Sequence, residues 1–257
     1  MLEVADTATI IARIRAAEAE LPPSQRLFED PYAHLFAGAT GGSDEEAVFS
    51  GAPFLREQVR LRTRFIDEAV RAALVDGLRQ VAILGAGFDS RALRMTEIAA
   101  CGAVVFEVDF AAQIERKRAI LAAAGVQEPN YLHYVPCDFG APAFDSTLSR
   151  DLASAGFLLR AGTLFLWEGV ISYLEPADID RMLCWMGHDA ARGTRVVFNY
   201  RPGFGAGTID PQRLPDQIRA AGFRTLEDRS SAELHRSIVD EEPPEIAGLF
   251  RIAVATV

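Results

Sequence analysis

Cysteine is scarce and scattered in this chain: Cys101, Cys137 and Cys184 are odd in number, far apart and form no CxxC pair. That spacing excludes a disulfide framework and a zinc knuckle, so no metal site is expected and a reducing, cytoplasmic setting is the natural reading. Long runs of lysine or arginine are missing too, and the formal net charge is -10. Neither a nucleic-acid backbone nor an anionic membrane is then expected as the main partner, which leaves a small molecule. The opening MLEVADTATII has no basic segment, and the apolar run near residue 157 is cut by Arg160, so neither a signal peptide nor a membrane span is expected. Internal repeats and low-complexity tracts are lacking as well. The 257 residues can bury a full core, and that length suits one large α/β domain with an extension, as a monomer or a homodimer.

What is present is organised around Val81 to Met95, VAILGAGFDSRALRM. Four apolar residues are too few for a helix, and they break at Gly85-Ala86-Gly87, after which Asp89, Ser90 and Arg91 can open one. Strand, glycine turn and helix form a nucleotide-binding turn: glycine permits positive φ and a close ligand, and the free amides of the new helix are expected to face the same space. Ser90 stands where the dinucleotide fingerprint has its third glycine.

Upstream, Thr7 to Glu20 reads as an amphipathic helix with Ile10, Ile11 and Ile14 on one side and Arg13, Arg15, Glu18 and Glu20 elsewhere. Asp30-Pro31 can start a short helix, and the glycine-containing, acidic stretch Ala39 to Ser50 reads as a loop that forms part of a lid. Phe54 to Val75 is expected to be a long helix whose apolar stripe runs through Leu55, Val59, Ile66, Ala69 and Ala73. Arg62 falls on that stripe. A buried guanidinium without an anion costs several kcal/mol, roughly, so either a protein carboxylate or a ligand carboxylate must face it.

Downstream, strands are expected at Ala103–Val108, Tyr131–Val135, Thr163–Trp167 and Arg195–Phe198, with helices at Ala111–Ala124 and Pro176–Ala191 between them. The tail adds a glycine-rich loop (Pro202 to Thr208), a helix near Pro215 to Ala221 and strands at Phe223–Leu226 and Leu249–Val257. Such alternation predicts a doubly wound α/β sheet. Ligands of such sheets lie beyond the carboxyl ends of the strands, and there the chain places Gly85-Ala86-Gly87, Glu107 with Asp109, Asp138, Glu168, and Asn199 with Arg201. The acid after the second strand follows Gly85 by 22 residues (Glu107) or 24 (Asp109), near the roughly 20 expected of a carboxylate that binds a ribose diol. Asp89 in the turn is a poor neighbour for phosphates. S-adenosylmethionine fits better than a dinucleotide: it offers a ribose diol to a carboxylate, an adenine amine to Asp138, an ammonium to Glu168 and a carboxylate to Arg62.

In the stretches RTRFIDEAV (Arg62 to Val70), VAILGAGFDSRALRM, VFEVDF, CDF and LFLWEGVISYLEP, the chain resembles the leucine carboxyl methyltransferase family, including its bacterial polyketide O-methyltransferase relatives. The resemblance spans about residues 26–201. It implies a class I S-adenosylmethionine-dependent methyltransferase sheet of seven strands, the last antiparallel, with an N-terminal helical cap over residues 1–76 and a cofactor-binding core over 77–257. Carried over residue by residue, it assigns Arg62, Gly85, Asp109 (the ribose acid), Asp138 with Phe139 (the adenine side) and Glu168 to the cofactor.

Methyl transfer from a sulfonium is an in-line displacement, so positioning and desolvation are the main tasks. A carboxylate acceptor, with a pKa near 4, is already ionised at neutral pH, whereas a phenol near 10 needs a base. Of the four histidines, His133 falls in a strand and His188 in a helix, while His34 and His235 lie in segments that could fold over the site. A carboxylate acceptor giving a methyl ester is therefore preferred over a hydroxyl, with Tyr200 or Arg201 as its anchor. A nicotinamide-dependent oxidoreductase and a cofactor-binding fold without turnover are the competing readings.

Overall fold

The structure, a computed structural model, describes residues 4–38, 54–239 and 241–257. The loop expected at Ala39 to Ser50 lies outside the described residues. Helices α1 (Val4–Ala17), α2 (Ala33–Ala37) and α3 (Leu55–Val75) precede the sheet. Then follow β1 (Gln80–Leu84), α4 (Arg91–Arg94), α5 (Thr96–Ala100), β2 (Val104–Asp109), α6 (Ala111–Ala123), β3 (Leu132–Pro136), α7 (Phe144–Ser154) and β4 (Thr163–Trp167). The chain closes with α8 (Pro176–Gly187), β5 (Arg195–Tyr200), α9 (Leu214–Ala220), β6 (Thr225–Ser230), α10 (Ser231–Ile238) and β7 (Arg251–Thr256).

One seven-stranded sheet runs in the order β3-β2-β1-β4-β5-β7-β6. Every pairing is parallel except those of β7, which lies antiparallel between β5 and β6. This is the expected doubly wound α/β sheet with its last strand reversed. Strand alternation decides which side chains meet which helices. Ala82, Leu84, Phe106, Phe165, Trp167 and Phe198 face the layer that holds α7, α8 and α9, and Val81, Ile83, Val105, Leu164, Leu166 and Val197 face α3 and α10. The second half of α3 thus belongs to the core layer: Ile66, Val70, Ala73 and Leu74 lie on the sheet. β1 and β4 are buried along their whole length, as their apolar runs Val81–Leu84 and Leu164–Trp167 require, and the polar first residues Gln80 and Thr163 bond to each other.

Several boundaries differ from the expected ones. β2 runs on through Asp109, so Asp109 as well as Glu107 lies inside the strand, and β5 runs on to Tyr200. β6 begins at Thr225 and is longer than expected, and the unanticipated α10 follows it through a capping box in which Ser230 and Glu233 satisfy each other's backbone N–H groups. Among the described residues no helix is long and apolar enough to cross a membrane.

Candidate active site at the carboxyl ends of the sheet

The strand order reverses between β1 and β4, and a doubly wound sheet opens its ligand crevice at such a point. Gly85 and Glu168 follow those two strands directly. Gly85 has φ +71, and a Cβ there would lie 2.3 Å from Val170 Cγ2, so glycine is required both for the backbone and for the approach of the segment after β4. The amides of the turn itself are occupied, and so, contrary to the expectation for the new helix, is that of Arg91. Gly85 and Ala86 donate to Val108 O (2.8 and 3.1 Å), Gly87 donates to Asp109 Oδ2 (2.6 Å), and Arg91 N–H donates to Asp89 Oδ1 (2.7 Å). The helix after the turn, α4, is only one turn long. The chemistry at this point is therefore carried by side chains.

Asp109 ends β2 with one carboxylate oxygen on Gly87 and the other on Phe110 N–H (2.7 Å). Burial raises its pKa, and those two amides oppose the rise. Glu107, the alternative left open by spacing, is sunk beneath: Lys117 Nζ lies 2.5 Å from its Oε2, and burial pushes its pKa up to about 7 despite that partner. Asp109 is thus the acid that lies against the glycine turn. The amide of Cys137 donates to Asp109 O (2.9 Å), which brings the end of β3 alongside. There Asp138 is exposed and accepts from Gly140 N–H (2.9 Å), while Phe139 is buried edge-on to Phe144.

Glu168 is the centre of a buried ionic cluster. Arg15 Nη2 and Arg62 Nε each donate to its Oε1 at 2.8 Å, and Arg91 Nη1 donates to Oε2 at 3.0 Å. Burial acts to raise its pKa, but the three guanidinium groups hold it well below the usual carboxylate range. Arg91 also pairs with Asp67 (2.8 Å) and with Asp89, so the charge of Asp89 is spent inside the protein and is not presented to a ligand. Arg94 grips both oxygens of Asp67 (2.8 and 2.7 Å), and Ser90, at the position of the missing third glycine, donates to Asp30 (2.6 Å). Four arginines (Arg15, Arg62, Arg91, Arg94) thus balance four acids (Asp30, Asp67, Asp89, Glu168).

Of the two partners expected for Arg62, the structure supplies the protein carboxylate, and Arg62 also donates to Gln58 (3.1 Å). Arg15 and Arg91 were not anticipated. Arg15 was placed off the buried side of α1, but it is only 7% exposed. The signal was there in Ala8, Ala12 and Arg15, small residues followed by a cation at helical steps of four and three.

The fifth strand ends apart from this cluster. Tyr200 is buried and donates to Asp228 (2.9 Å), which also accepts from Arg251 (2.9 Å). Arg201 packs its guanidinium over the rings of Phe204 and Phe250, 5.0 Å from each centroid. Asn199 accepts from Gly169 N–H (2.7 Å), tying this end to the residue after Glu168. None of the histidines stands free at a strand end. His133 stacks on Phe106, His235 is buried with Nδ1 3.0 Å from Glu241 O, His34 is exposed on α2, and His188, expected inside a helix, is exposed just past the end of α8 with extended backbone.

The crevice's own polar groups bear on whether S-adenosylmethionine fits it. Arg15 Nε and Arg91 Nη2 are buried and have no acceptor, although both side chains already hold Glu168. Spare buried guanidinium donors suit a ligand carboxylate, Glu168 suits an ammonium, and Asp109 at the turn suits a ribose diol. The donor set fits the cofactor.

Sheet order, reversed β7 and this crevice define a class I S-adenosylmethionine-dependent methyltransferase fold. Two solved structures share the fold at low identity: a Streptomyces avermitilis protein (TM-score 0.60, 14% identity, covering 95% of this chain and 96% of that one) and a provisionally assigned methyltransferase of Thermobifida fusca (TM-score 0.56, 17%, 95% and 93%). The chain belongs to the leucine carboxyl methyltransferase family, whose model matches residues 8–187. A Streptomyces coelicolor protein provisionally named an S-adenosyl-L-methionine-dependent methyltransferase is 35% identical over 201 residues, 74% of this chain and 66% of its own length. A similarly named Mycobacterium tuberculosis protein is 33% identical over 230 residues, 85% of this chain and 72% of its own length. The chain therefore spans just under two thirds of the first of these relatives. Family and fold point to S-adenosylmethionine as the cofactor.

Proposed function

We propose that the protein is an S-adenosylmethionine-dependent O-methyltransferase whose acceptor is a small carboxylic acid and whose product is the methyl ester. The observation that carries this reading is that, among the described residues, no histidine stands free at a strand end and the one exposed acid there, Asp138, lies on the adenine side. Glu168 is held by three arginines, Glu107 by Lys117 and Asp109 by two amides, and the histidines are placed as described above. A carboxylate acceptor needs no base.

The bound cofactor supplies a methyl group activated on a sulfonium. Asp109 would hold the ribose diol, Asp138 would meet the adenine amine beside Phe139, Glu168 would meet the ammonium, and Arg62 with Arg15 would receive the carboxylate. Gly85, Ala86 and Gly87 let these groups come close to the backbone. An acceptor carboxylate oxygen would take that methyl group, the sulfonium leaving as a neutral thioether with the electron pair on sulfur. No proton moves. In the division into a cap (residues 1–76) and a core (77–257), α1 and the first half of α3 would act as the cap that brings in Arg15 and Arg62, while the second half of α3 packs on the sheet with the core. Of the two acceptor anchors at β5, the Tyr200 hydroxyl is already committed to Asp228, which favours Arg201.

The test is a screen of carboxylic acids and phenols for methyl transfer by mass spectrometry, followed by kcat against pH with the best substrate. A base-labile ester and a rate nearly flat from about pH 6 to 8 are expected. A rising profile that His34→Gln or His235→Gln abolishes, with a base-stable ether as product, would overturn the reading in favour of a histidine general base. Binding of NAD in place of S-adenosylmethionine would overturn it in favour of an oxidoreductase.

A further inference from the structure

Arg201 differs from the other arginines at this end of the sheet. Arg15, Arg62 and Arg91 share Glu168, and Arg251 has Asp228. Among the described residues Arg201 faces no carboxylate; its contacts are the rings of Phe204 and Phe250. Cation–π packing restrains a guanidinium and leaves the N–H groups in its plane free, ready for the two oxygens of a carboxylate. In a chain of net charge -10, a restrained cation at the carboxyl end of the sheet, with no carboxylate partner among the described residues, is the feature an anion would find.

The loop that carries Phe204 is built to stay in place. Gly203 N–H donates to Thr208 Oγ1 (2.7 Å), and Ala206 N–H donates to Ser172 O (3.0 Å). A Cβ on Gly205 would lie 2.3 Å from Ser172 O, and one on Gly207 would lie 2.1 Å from Ile171 O, so the loop backbone rests directly on the turn that follows Glu168. Beside that contact two aromatic side chains remain open to solvent, Phe204 (53% exposed) and Tyr173 (37%). An anion site rimmed by exposed aromatic rings is matched by a ligand with a carboxylate on a flat, apolar body.

We propose that Arg201, packed over Phe204 and Phe250, is the specificity-determining residue of the acceptor site and selects an aromatic carboxylic acid. The proposal rests on the carboxylic-acid reading above, and its test is therefore a binding experiment that needs no turnover. The protein saturated with S-adenosylhomocysteine is titrated with benzoate, phenylacetate, 2-naphthoate and hexanoate, and with the primary amides of the three aromatic acids.

The aromatic acids are expected to bind at least tenfold more tightly than their amides and than hexanoate. Arg201→Met should remove that preference, and Arg201→Lys should recover only part of it, because an ammonium keeps the charge but neither the planar fork nor the packing. Phe204→Ala should weaken the aromatic acids while S-adenosylhomocysteine affinity stays within twofold. Equal binding of acids and amides, acid binding unchanged in Arg201→Met, no binding of any acid to the unaltered protein, or loss of S-adenosylhomocysteine affinity in Arg201→Met would each overturn the assignment. Acids that bind through Arg201 but are never methylated would leave it standing and sink the proposed reaction instead.

Discussion

Replacing Glu168 with glutamine keeps its shape and removes its charge. Arg15 and Arg62 would then have no carboxylate within ion-pair reach among the described residues, while Arg91 would keep Asp67 and Asp89. The cluster of four arginines and four acids would carry one uncompensated positive charge at a site where the partners are under a tenth exposed. Breaking a buried ion pair costs about 3–5 kcal/mol, a large share of the roughly 5–15 kcal/mol by which a domain is stable. Urea titrations at neutral pH measure the difference, and Glu97→Gln, which removes an exposed pair with Arg71, is the control, expected within about 0.5 kcal/mol.

The sign of the pH dependence follows from the depressed pKa of Glu168. Its contribution is fully present above the unfolded carboxyl value of about 4.3 and is lost as pH falls through the lower folded value. The unaltered protein and Glu168→Gln should therefore converge in acid. A variant within about 0.5 kcal/mol of the parent at neutral pH, or a gap that persists unchanged into strong acid, would refute the account of the cluster.

Asp109→Ala should weaken S-adenosylhomocysteine binding more than tenfold by calorimetry, since each charge-assisted hydrogen bond is worth about 1.5–3 kcal/mol; unchanged affinity in a folded variant would move the ribose contact elsewhere. Arg62→Met should lower cofactor affinity but cost less stability than Glu168→Gln, because Glu168 keeps Arg15 and Arg91; the reverse order in denaturant titrations would make Arg62 a structural partner only. Glu107 runs opposite to Glu168: its contribution is full below the ordinary carboxyl value and is lost as pH rises through about 7. An NMR titration of the Glu107 carboxyl carbon with a midpoint near 4 would contradict that burial. Gly207→Ala places a Cβ 2.1 Å from Ile171 O and 2.5 Å from Leu174 O, neither of which can turn aside. Acceptor kcat/KM should fall at least tenfold with S-adenosylhomocysteine affinity intact, and unchanged turnover would show that the loop does not shape the acceptor site.

The sheet was legible because its strands are short apolar runs that end on polar residues, as Thr163–Trp167 before Glu168 shows most plainly. Glu107 was harder, because strand pleating does not reveal that Lys117, one helix away, reaches back to it. Arg62 could be read as buried from its stripe, but not as Glu168's partner, since charge pairs across 106 residues leave no periodic trace. Arg15 was hidden for a related reason: a cation on a short helix looks solvated until the acid it meets is known. Occupied amides around the glycine turn leave no local trace, because Asp109 and Val108 O come from the next strand and the Asp89 side chain turns back on Arg91 N–H, the helix amide expected to be free. Helix α10 had a local signature, serine followed three residues later by glutamate, that hydrophobic periodicity alone does not register.

The single carboxylate of Glu168 gathers side chains 153, 106 and 77 residues away along the chain. The cluster joins side chains from three helices to the end of one strand, so it needs the sheet and all three helices in place before it can close. The cluster should therefore close after the rate-limiting step of folding. Removing its charge would then leave refolding almost untouched and act on the opposite reaction, with Glu168→Gln unfolding faster in stopped-flow experiments. A variant that instead refolds slowly would place Glu168 in the nucleus. By this account the ionic centre guards the native state against escape, and the apolar strands find it.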